Sequence, residues 1–490
     1  MKVKKLDSSL NNIKFGTDGW RGVIGVDFTL DNLVKAVFAT CEEFKFRHMQ
    51  FAKSKKIIIG YDRRFMAEEF ACSVIDIVSG SGLQPYLAKT AVTTPSCSLS
   101  VLKEKALGAI IITASHNPYN WLGLKIKDFQ GCSVDRDFTE SVERRIFLNN
   151  QIYIKSESSK LIDIRLGHIE HLKKKFNINH ILTTIKNIYS EIIIDSMYGS
   201  ASGYMTDLCA EYNASLVKEI RLERDTLFGG YSPEPIEPNV KEIINKVKEK
   251  CFKNISSIGI IFDGDGDRIA VIDETGRYCS TQVLMPLLIH NLVKLGVNKG
   301  IVLKTVSGSD LMSLIAKRNN LDVFETPVGF KYIASKMLNE KVLIGGEESG
   351  GIGFGEHIPE RDAIYTAILL LDIISKREKP LSFLLEEINK EYGESFYERI
   401  DFDFQRLDKR DQFEEYLKNS LPDIIQMKGV QNVTNLDGIK LRIDHLHWIL
   451  FRFSGTEPLL RLYCEAKTIE DLNENLHWAK NLINNFLENH

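Results

Sequence analysis

The chain has 490 residues, 43% hydrophobic and 26% charged, with a formal net charge of -3; its length predicts three or four domains, each with its own core. Both signs of charge are scattered along it, so no long-range field exists to hold a polyanion such as DNA, and nucleic acid is not expected as a partner. The start MKVKKLDSSLNN lacks the apolar stretch of a signal peptide, apolar runs such as Ala106–Ile112 fall far short of the ~20 residues of a membrane span, and the eight cysteines have neither C-x-x-C pairs nor dense spacing, so no zinc site, disulfide framework or membrane partner is suggested and a cytoplasmic location is expected.

In chain order, one pattern recurs. Short β-branched runs end in small polar loops and are often followed by an amphipathic helical stretch: KKIIIGYDRR, ALGAIIITASHNP, EIIIDSMYGSASG, SIGIIFDGDGDR, GIVLKTVSGSD and KVLIGGEESGG. Continuous apolar strands imply sheets covered on both faces, in which the loops at strand carboxyl ends gather ligands. QIYIKSESSK could close a first domain. The charged, lightly apolar stretch from Lys376 to Lys440 could lead into a last one, which reads strand, SGTEP loop, strand, helix.

In DGDGDR, Asp263, Asp265 and Asp267 alternate with glycine and precede Arg268. Alternate residues of an extended strand lie about 6.6 Å apart, whereas oxygens bonded to one magnesium at about 2.1 Å are no more than roughly 4.2 Å apart. The segment must therefore curl to bind one ion, which Gly264 and Gly266 permit. An acidic turn without a metal is the plain alternative. An EF-hand is rejected, although Glu274 falls at its twelfth position, because Arg268 occupies the sixth, where Gly is needed, and the flanks read as strands. A hard divalent cation remains, magnesium first.

Ser115 closes an apolar strand beside His116 and Asn117, ten residues before Lys125. A lone serine there would usually bond its own backbone. An acyl-transfer triad lacks its G-x-S-x-G elbow and needs no metal. Phosphoryl chemistry accounts for both the serine and the acidic cluster: a phosphoserine carries up to about -2 charge, which a divalent ion neutralises.

With these motifs in view, the sequence resembles the α-D-phosphohexomutases, the family of phosphoglucomutase and phosphomannomutase. Four motifs match in the family's order: TASHNP, DGDGDR, GEESGG (Gly346 to Gly351) and RFSGTEP (Arg452 to Pro458), with FGTDGWRG near the start and TPVGFKYIA before the sugar loop. The resemblance implies three related α/β domains with mixed sheets plus a smaller α+β C-terminal domain around a central cleft. Boundaries are expected at 1–158 for the domain with the serine loop, 159–276 for the metal loop, 277–389 for the sugar loop and 390–490 for the phosphate loop.

It further implies that Ser115 is the phosphoserine and binds Mg2+ with Asp263, Asp265 and Asp267. His116 and Lys125 belong to the acid/base neighbourhood, and Arg21 and Arg268 lie close to the transferring phosphate. In LGLKIK, however, Leu124 and Ile126 alternate with two lysines, as in an ordinary strand with a solvated face. A base at Lys125 would need a pKa depressed by burial or by cations such as Arg21. Glu347 suits two vicinal hydroxyls, Ser349 can donate and accept, and Lys331 is the nearby polar group of the sugar site. Arg452, Ser454, Gly455 and Thr456 combine a planar cation, two hydroxyls and a flexible backbone, a set that suits a phosphate dianion.

The implied activity interconverts hexose 1-phosphate and hexose 6-phosphate, glucose first, through a hexose 1,6-bisphosphate that also primes the serine. Phosphomannomutase or dual activity is the alternative; phosphoglucosamine mutase, a metal-dependent phosphatase and a non-catalytic sugar-phosphate sensor rank lower. GEESGG is closer to phosphoglucomutase loops than to those of phosphoglucosamine mutases, which usually carry Gln at the second acidic position. Trp121 and Leu122 stand where relatives usually have Tyr and Asn, Phe453 replaces a common Pro, and Phe330 replaces a His found in some relatives. Small-molecule sugar phosphates are the expected partners. Oligomeric state leaves no trace in the sequence.

Overall fold

The computed structural model describes residues 13–148, 159–212, 214–454 and 458–489. It divides into two compact units: one of residues 1–280, 334–339 and 350–380, the other of 281–333, 340–349 and 381–490.

The first unit carries two mixed sheets. In the seven-stranded one, Lys56–Tyr61 lies parallel to both Gln84–Ala88 and Gly108–Ile112, and Gly108–Ile112 is antiparallel to Trp121–Lys127. In the five-stranded one, Ser257–Phe262 is parallel to Glu191–Asp195 and antiparallel to Ile269–Ile272. Gly108–Ile112 and Ser257–Phe262 are buried at every position, as continuous apolar runs require when both sheet faces are covered. Each run ends in a short polar connection to an antiparallel neighbour. Those two hairpin connections are TASHNPYN and DGDGDR, so one structural device presents both loops at strand carboxyl ends.

In the second unit, Val323–Thr326, Ile301–Thr305 and Val342–Gly346 form a parallel arrangement, with the glutamates of GEESGG following Gly346. The C-terminal sheet is antiparallel throughout, in the order Phe396–Asp403, Leu459–Ala466, His447–Phe453, Ile439–Asp444, Asn432–Thr434. Its apolar face packs on Phe413, Leu417 and Ile424 of helix Leu407–Lys428 and on Leu472, Leu476, Ala479 and Ile483 of helix Ile469–Asn489. The fold is three α/β sheet units followed by a smaller α+β one. The predicted order of strand, loop, strand, helix at the C-terminus is present.

The Lys376–Lys440 stretch is no mere lead-in. It contains helix Leu381–Tyr392, strand Phe396–Asp403 and helix Leu407–Lys428. The strand lies at a sheet edge with none of its residues fully buried, and the long helix buries only three side chains, which explains its weak apolar signal. All eight cysteines are free. Among the described residues, no helix is long and apolar enough to cross a membrane. Most of QIYIKSESSK lies outside the described residues.

Candidate active site

Ser115 sits at the turn after Gly108–Ile112 with φ +53° and a fully buried side chain. A left-handed backbone costs a non-glycine residue about 1–2 kcal/mol and persists where surrounding bonds over-determine it. Here they do. Ser115 N–H donates to Thr113 Oγ1 (2.9 Å), whose hydroxyl donates to Asp62 Oδ2 (2.6 Å). The buried Arg64 guanidinium donates to the carbonyls of Ser115 (2.6 Å), Asn117 (2.7 Å), Pro118 (2.8 Å) and Trp121 (3.1 Å), and pairs with Asp62 at 3.2 Å. One side chain thus ties both limbs of the serine loop.

The acidic loop curls as its chemistry demands. Gly266 has φ +68°. A Cβ on Gly264 would stand 2.4 Å from the Ser115 carbonyl oxygen, so the two loops meet only because that position is glycine. Asp263, Asp265 and Asp267 are all buried, and one carboxylate oxygen from each lies within 4.8 Å of the others. Ser115 Oγ donates to Asp263 Oδ2 at 3.1 Å. Asp263 Oδ1 accepts from the backbone N–H of Asp267 (3.0 Å) and Arg268 (3.1 Å), while Asp265 Oδ2 accepts from Thr94 Oγ1 (2.5 Å).

Two observations fit a divalent cation. Asp265 Oδ1 and Asp267 Oδ1 are buried without a hydrogen-bond partner among the described residues, although such oxygens are normally satisfied. Burial, with the like charges of Asp267 and Asp265, pushes the Asp263 carboxyl well above its usual range. Lys125 and Arg361 compensate Asp265 and Asp267 at 2.8–2.9 Å, so it is Asp263 whose ionised form calls for a further cation.

Lys125 is the clearest departure from expectation. It is buried, not solvated, and its ammonium contacts Asp18 (2.7 Å), Asp265 (2.8 Å) and Asp267 (2.9 Å). Burial favours its neutral form, but these three carboxylates outweigh burial and raise its pKa above the ordinary lysine value. The depressed pKa that a Lys125 base would require is absent. His116 is the opposite case. Its Nδ1 lies 3.3 Å from Ser115 Oγ, and burial followed by Arg268, Arg21, Lys125 and Arg361 holds it well below the usual histidine range, as a neutral imidazole. Arg21, paired across the sheet with Gly123, donates to Asn117 Oδ1 at 2.7 Å; Arg268 approaches Glu234 at 3.3 Å.

Sequence reasoning left several neighbours unassigned. Asp18 lies within FGTDGWRG. Arg361 Nη2 contacts Asp18 (2.6 Å) and Asp267 (2.9 Å), and Lys127 pairs with Glu360. Lys127, two residues from Lys125, shares its strand face, so the spacing could have shown that the pair turns inward together. Arg64 ends the KKIIIGYDRR run, whose polar loop was given no role, and Arg361 lay in a segment without a motif. Leu122 belongs to the core, an apolar wall as its substitution for a polar residue suggests.

In the second unit, Glu347 is buried and Ser349 partly so. Glu348 is committed to protein hydroxyls: it accepts from Ser307 (2.6 Å), Thr305 (3.3 Å) and Tyr463 (3.3 Å). Arg452 Nε donates to Asp437 Oδ2 at 2.9 Å, and the same oxygen accepts from Val328 N–H at 2.9 Å, three residues before Lys331. Arg452 Nη1 is buried with no hydrogen-bond partner among the described residues, a donor suited to an anion. Ser454 N–H bonds the Leu459 carbonyl at 2.9 Å, its own carbonyl accepts from Arg410, and Phe453 packs 6.2 Å from the Phe413 ring. Gly455 and Thr456 lie outside the described residues.

Comparison with known proteins agrees with this chemistry. Four successive models of one family match: phosphoglucomutase/phosphomannomutase alpha/beta/alpha domain I over residues 12–152, domain II over 167–276, domain III over 281–392 and the C-terminal domain over 402–477. The chain belongs to the α-D-phosphohexomutase family. It is 27% identical to a phosphoglucomutase/phosphomannomutase of Thermococcus kodakarensis, covering 97% of this chain and 99% of that one. It is also 27% identical to a phosphoglucosamine mutase of Limosilactobacillus reuteri, over 94% and 95% of the two chains. A crystal structure from Thermus thermophilus, assigned as a phosphomannomutase, superposes with a TM-score of 0.82 at 29% identity, covering 96% of this chain and 99% of the other.

Proposed function

We propose that this phosphohexomutase interconverts glucose 1-phosphate and glucose 6-phosphate through phosphorylated Ser115 and a glucose 1,6-bisphosphate intermediate that also primes the serine. The observation that carries the reading is the position of Ser115 Oγ, 3.1 Å from one carboxylate of a buried aspartate triad and 3.3 Å from a neutral imidazole.

In the forward half-reaction the free hydroxyl of the sugar phosphate attacks the phosphoserine phosphorus. The new sugar O–P bond forms as the Ser115 Oγ–P bond breaks. His116 takes the sugar hydroxyl proton and returns it to Ser115 Oγ. Lys125, kept charged by Asp18, acts as a fixed cation with Arg21 and Arg268 against charge on the phosphoryl oxygens. Ser115 and the three aspartates would hold Mg2+, which supplies charge neutralisation and polarises the phosphorus. Arg452 and the loop of Ser454, Gly455 and Thr456 hold the substrate's own phosphate, and Glu347 and Ser349, with Lys331, grip sugar hydroxyls. The bisphosphate turns end for end and the reverse chemistry rephosphorylates Ser115.

Glucose stands first because the second acidic position is Glu348. Its carboxylate accepts from Ser307 and Tyr463, and a loop with Glu rather than Gln at this position is closer to those of phosphoglucomutases, with Glu347 assigned to the sugar hydroxyls. Glucose and mannose differ in the orientation of one hydroxyl, and a hydrogen bond of about 1 kcal/mol discriminates only several-fold, so activity on both hexoses is expected. The test is kcat/KM for the 1-phosphates of glucose, mannose and glucosamine, each with Mg2+ and its matching bisphosphate. Glucose 1-phosphate should lead with mannose 1-phosphate within about tenfold; glucosamine 1-phosphate in the lead would overturn the assignment.

A further inference from the structure

A second cluster of metal-ligating side chains lies within the first unit, separate from the aspartate loop. His168 is on helix Ile164–Lys175, His357 follows strand Ile352–Phe354, and Asp362 caps helix Ala363–Arg377, its Oδ1 accepting from Tyr365 N–H at 3.0 Å. Two imidazole nitrogens converge on the other oxygen: His357 Nε2 at 2.8 Å and His168 Nε2 at 2.9 Å from Asp362 Oδ2, with all three side chains fully buried. One ligand atom from each residue, a nitrogen of each histidine and an oxygen of Asp362, lies within 4.8 Å of the others.

A hydrogen-bonded cap cluster accounts for this incompletely. His168 Nε2 is buried and close to Asp362 but lacks the alignment of a hydrogen bond. His171, one turn further along the same helix, has a buried Nε2 without a partner among the described residues and a ring centroid 5.3 Å from that of His357. The opposite nitrogen of His168 is fixed by Ser96 Oγ at 2.7 Å, which in turn meets Tyr204 Oη at 3.0 Å. Orienting a ligand imidazole through its other nitrogen is how metal sites set ring position and tautomer.

We propose that His168, His357 and Asp362 form a transition-metal site that takes zinc, with a water in the fourth position. Two imidazoles and one carboxylate are a donor set that suits zinc over magnesium. Tetrahedral ligands at about 2.0–2.1 Å lie roughly 3.3 Å apart, so each histidine nitrogen needs to move away from Asp362 Oδ2 by only about half an ångström. The ion would join helix Ile164–Lys175 to the Asp362 segment and, through Ser96, to helix Thr94–Glu104. Arg361, the residue before Asp362, contacts Asp18 and Asp267, so the site would also steady a cation beside the aspartate loop.

The test uses the full chain with Co2+ as the probe, in the presence of excess Mg2+. One equivalent should bind with the intense visible absorption of a low-coordinate, nitrogen-ligated site, and one equivalent of Zn2+ should bleach it. The absorption should survive Asp265→Asn and vanish in His168→Asn. Bands that survive His168→Asn and His357→Gln, or only the weak bands of an oxygen-ligated octahedral ion, would overturn the site. Should those variants fail to fold, calorimetric titration of the unmodified protein with Zn2+ at pH 7 decides: one tight site and a Tm higher by a few degrees support it, and the absence of either rejects it.

Discussion

Arg64 illustrates how one buried residue can fix the loop that carries the proposed phosphate acceptor. Its guanidinium bridges four carbonyls of the loop that holds Ser115 in a left-handed conformation. Lysine keeps the charge but not the planar fork, so Arg64→Lys should lower kcat by ~10–100-fold with little change in KM, because a misplaced reacting group raises the barrier more than it weakens binding. An unchanged kcat would show that the loop holds itself. Ser115→Ala should abolish turnover while circular dichroism stays that of the parent chain; wild-type turnover of glucose 1-phosphate by this variant would end the carrier role. Ser115, His116 and the three aspartates were legible in the sequence because their chemistry is contiguous along the chain. Asp62, Arg64, Glu360 and Arg361 were not, because each acts only after distant segments are brought together.

At the scale of elements, His48 caps helix Leu30–Arg47 and stacks on Phe138 of helix Arg136–Leu148, ring centroids 5.3 Å apart. Burial, then the charge of Arg47, lowers its pKa from 6.5 to about 4. The folded His48 stays neutral while an unfolded one takes a proton, so its contribution to stability is complete above pH 6.5 and declines as pH falls towards 4. The urea midpoint should therefore drop between pH 7 and pH 4.5, and His48→Leu should make that drop smaller; an identical drop in both would contradict the assignment. The same scale shows where patterning succeeded. Continuous apolar runs gave strands ending in ligand-type loops, because sheets covered on both faces leave no polar side to disguise them. Alternation misled at Lys125 and Lys127, where the inward-facing lysines are matched by buried carboxylates, and strand Phe396–Asp403 and helix Leu407–Lys428 were faint because they bury few side chains.

For the whole molecule, a net charge of -3 hides strong local separation: a buried carboxylate triad ringed by Lys125, Arg268 and Arg361. The raised pKa of Asp263 means that Mg2+ competes with a proton there. Below that pKa, apparent Mg2+ affinity should weaken by up to about tenfold per pH unit, measurable as Mg2+ activation curves over a descending pH series; curves that superimpose throughout the series would contradict a proton competing at Asp263. The family and its four-domain organisation were readable from four separated motifs. The preferred sugar was not, since it depends on the placement of a few hydroxyl contacts. The central claim is that Ser115 carries the transferred phosphoryl group. Intact-mass and peptide analysis after treatment with glucose 1,6-bisphosphate tests it most directly: one added phosphoryl group on Ser115, lost on incubation with excess glucose 1-phosphate, is the expected result, and protein that turns over substrate while Ser115 never gains that mass would contradict it.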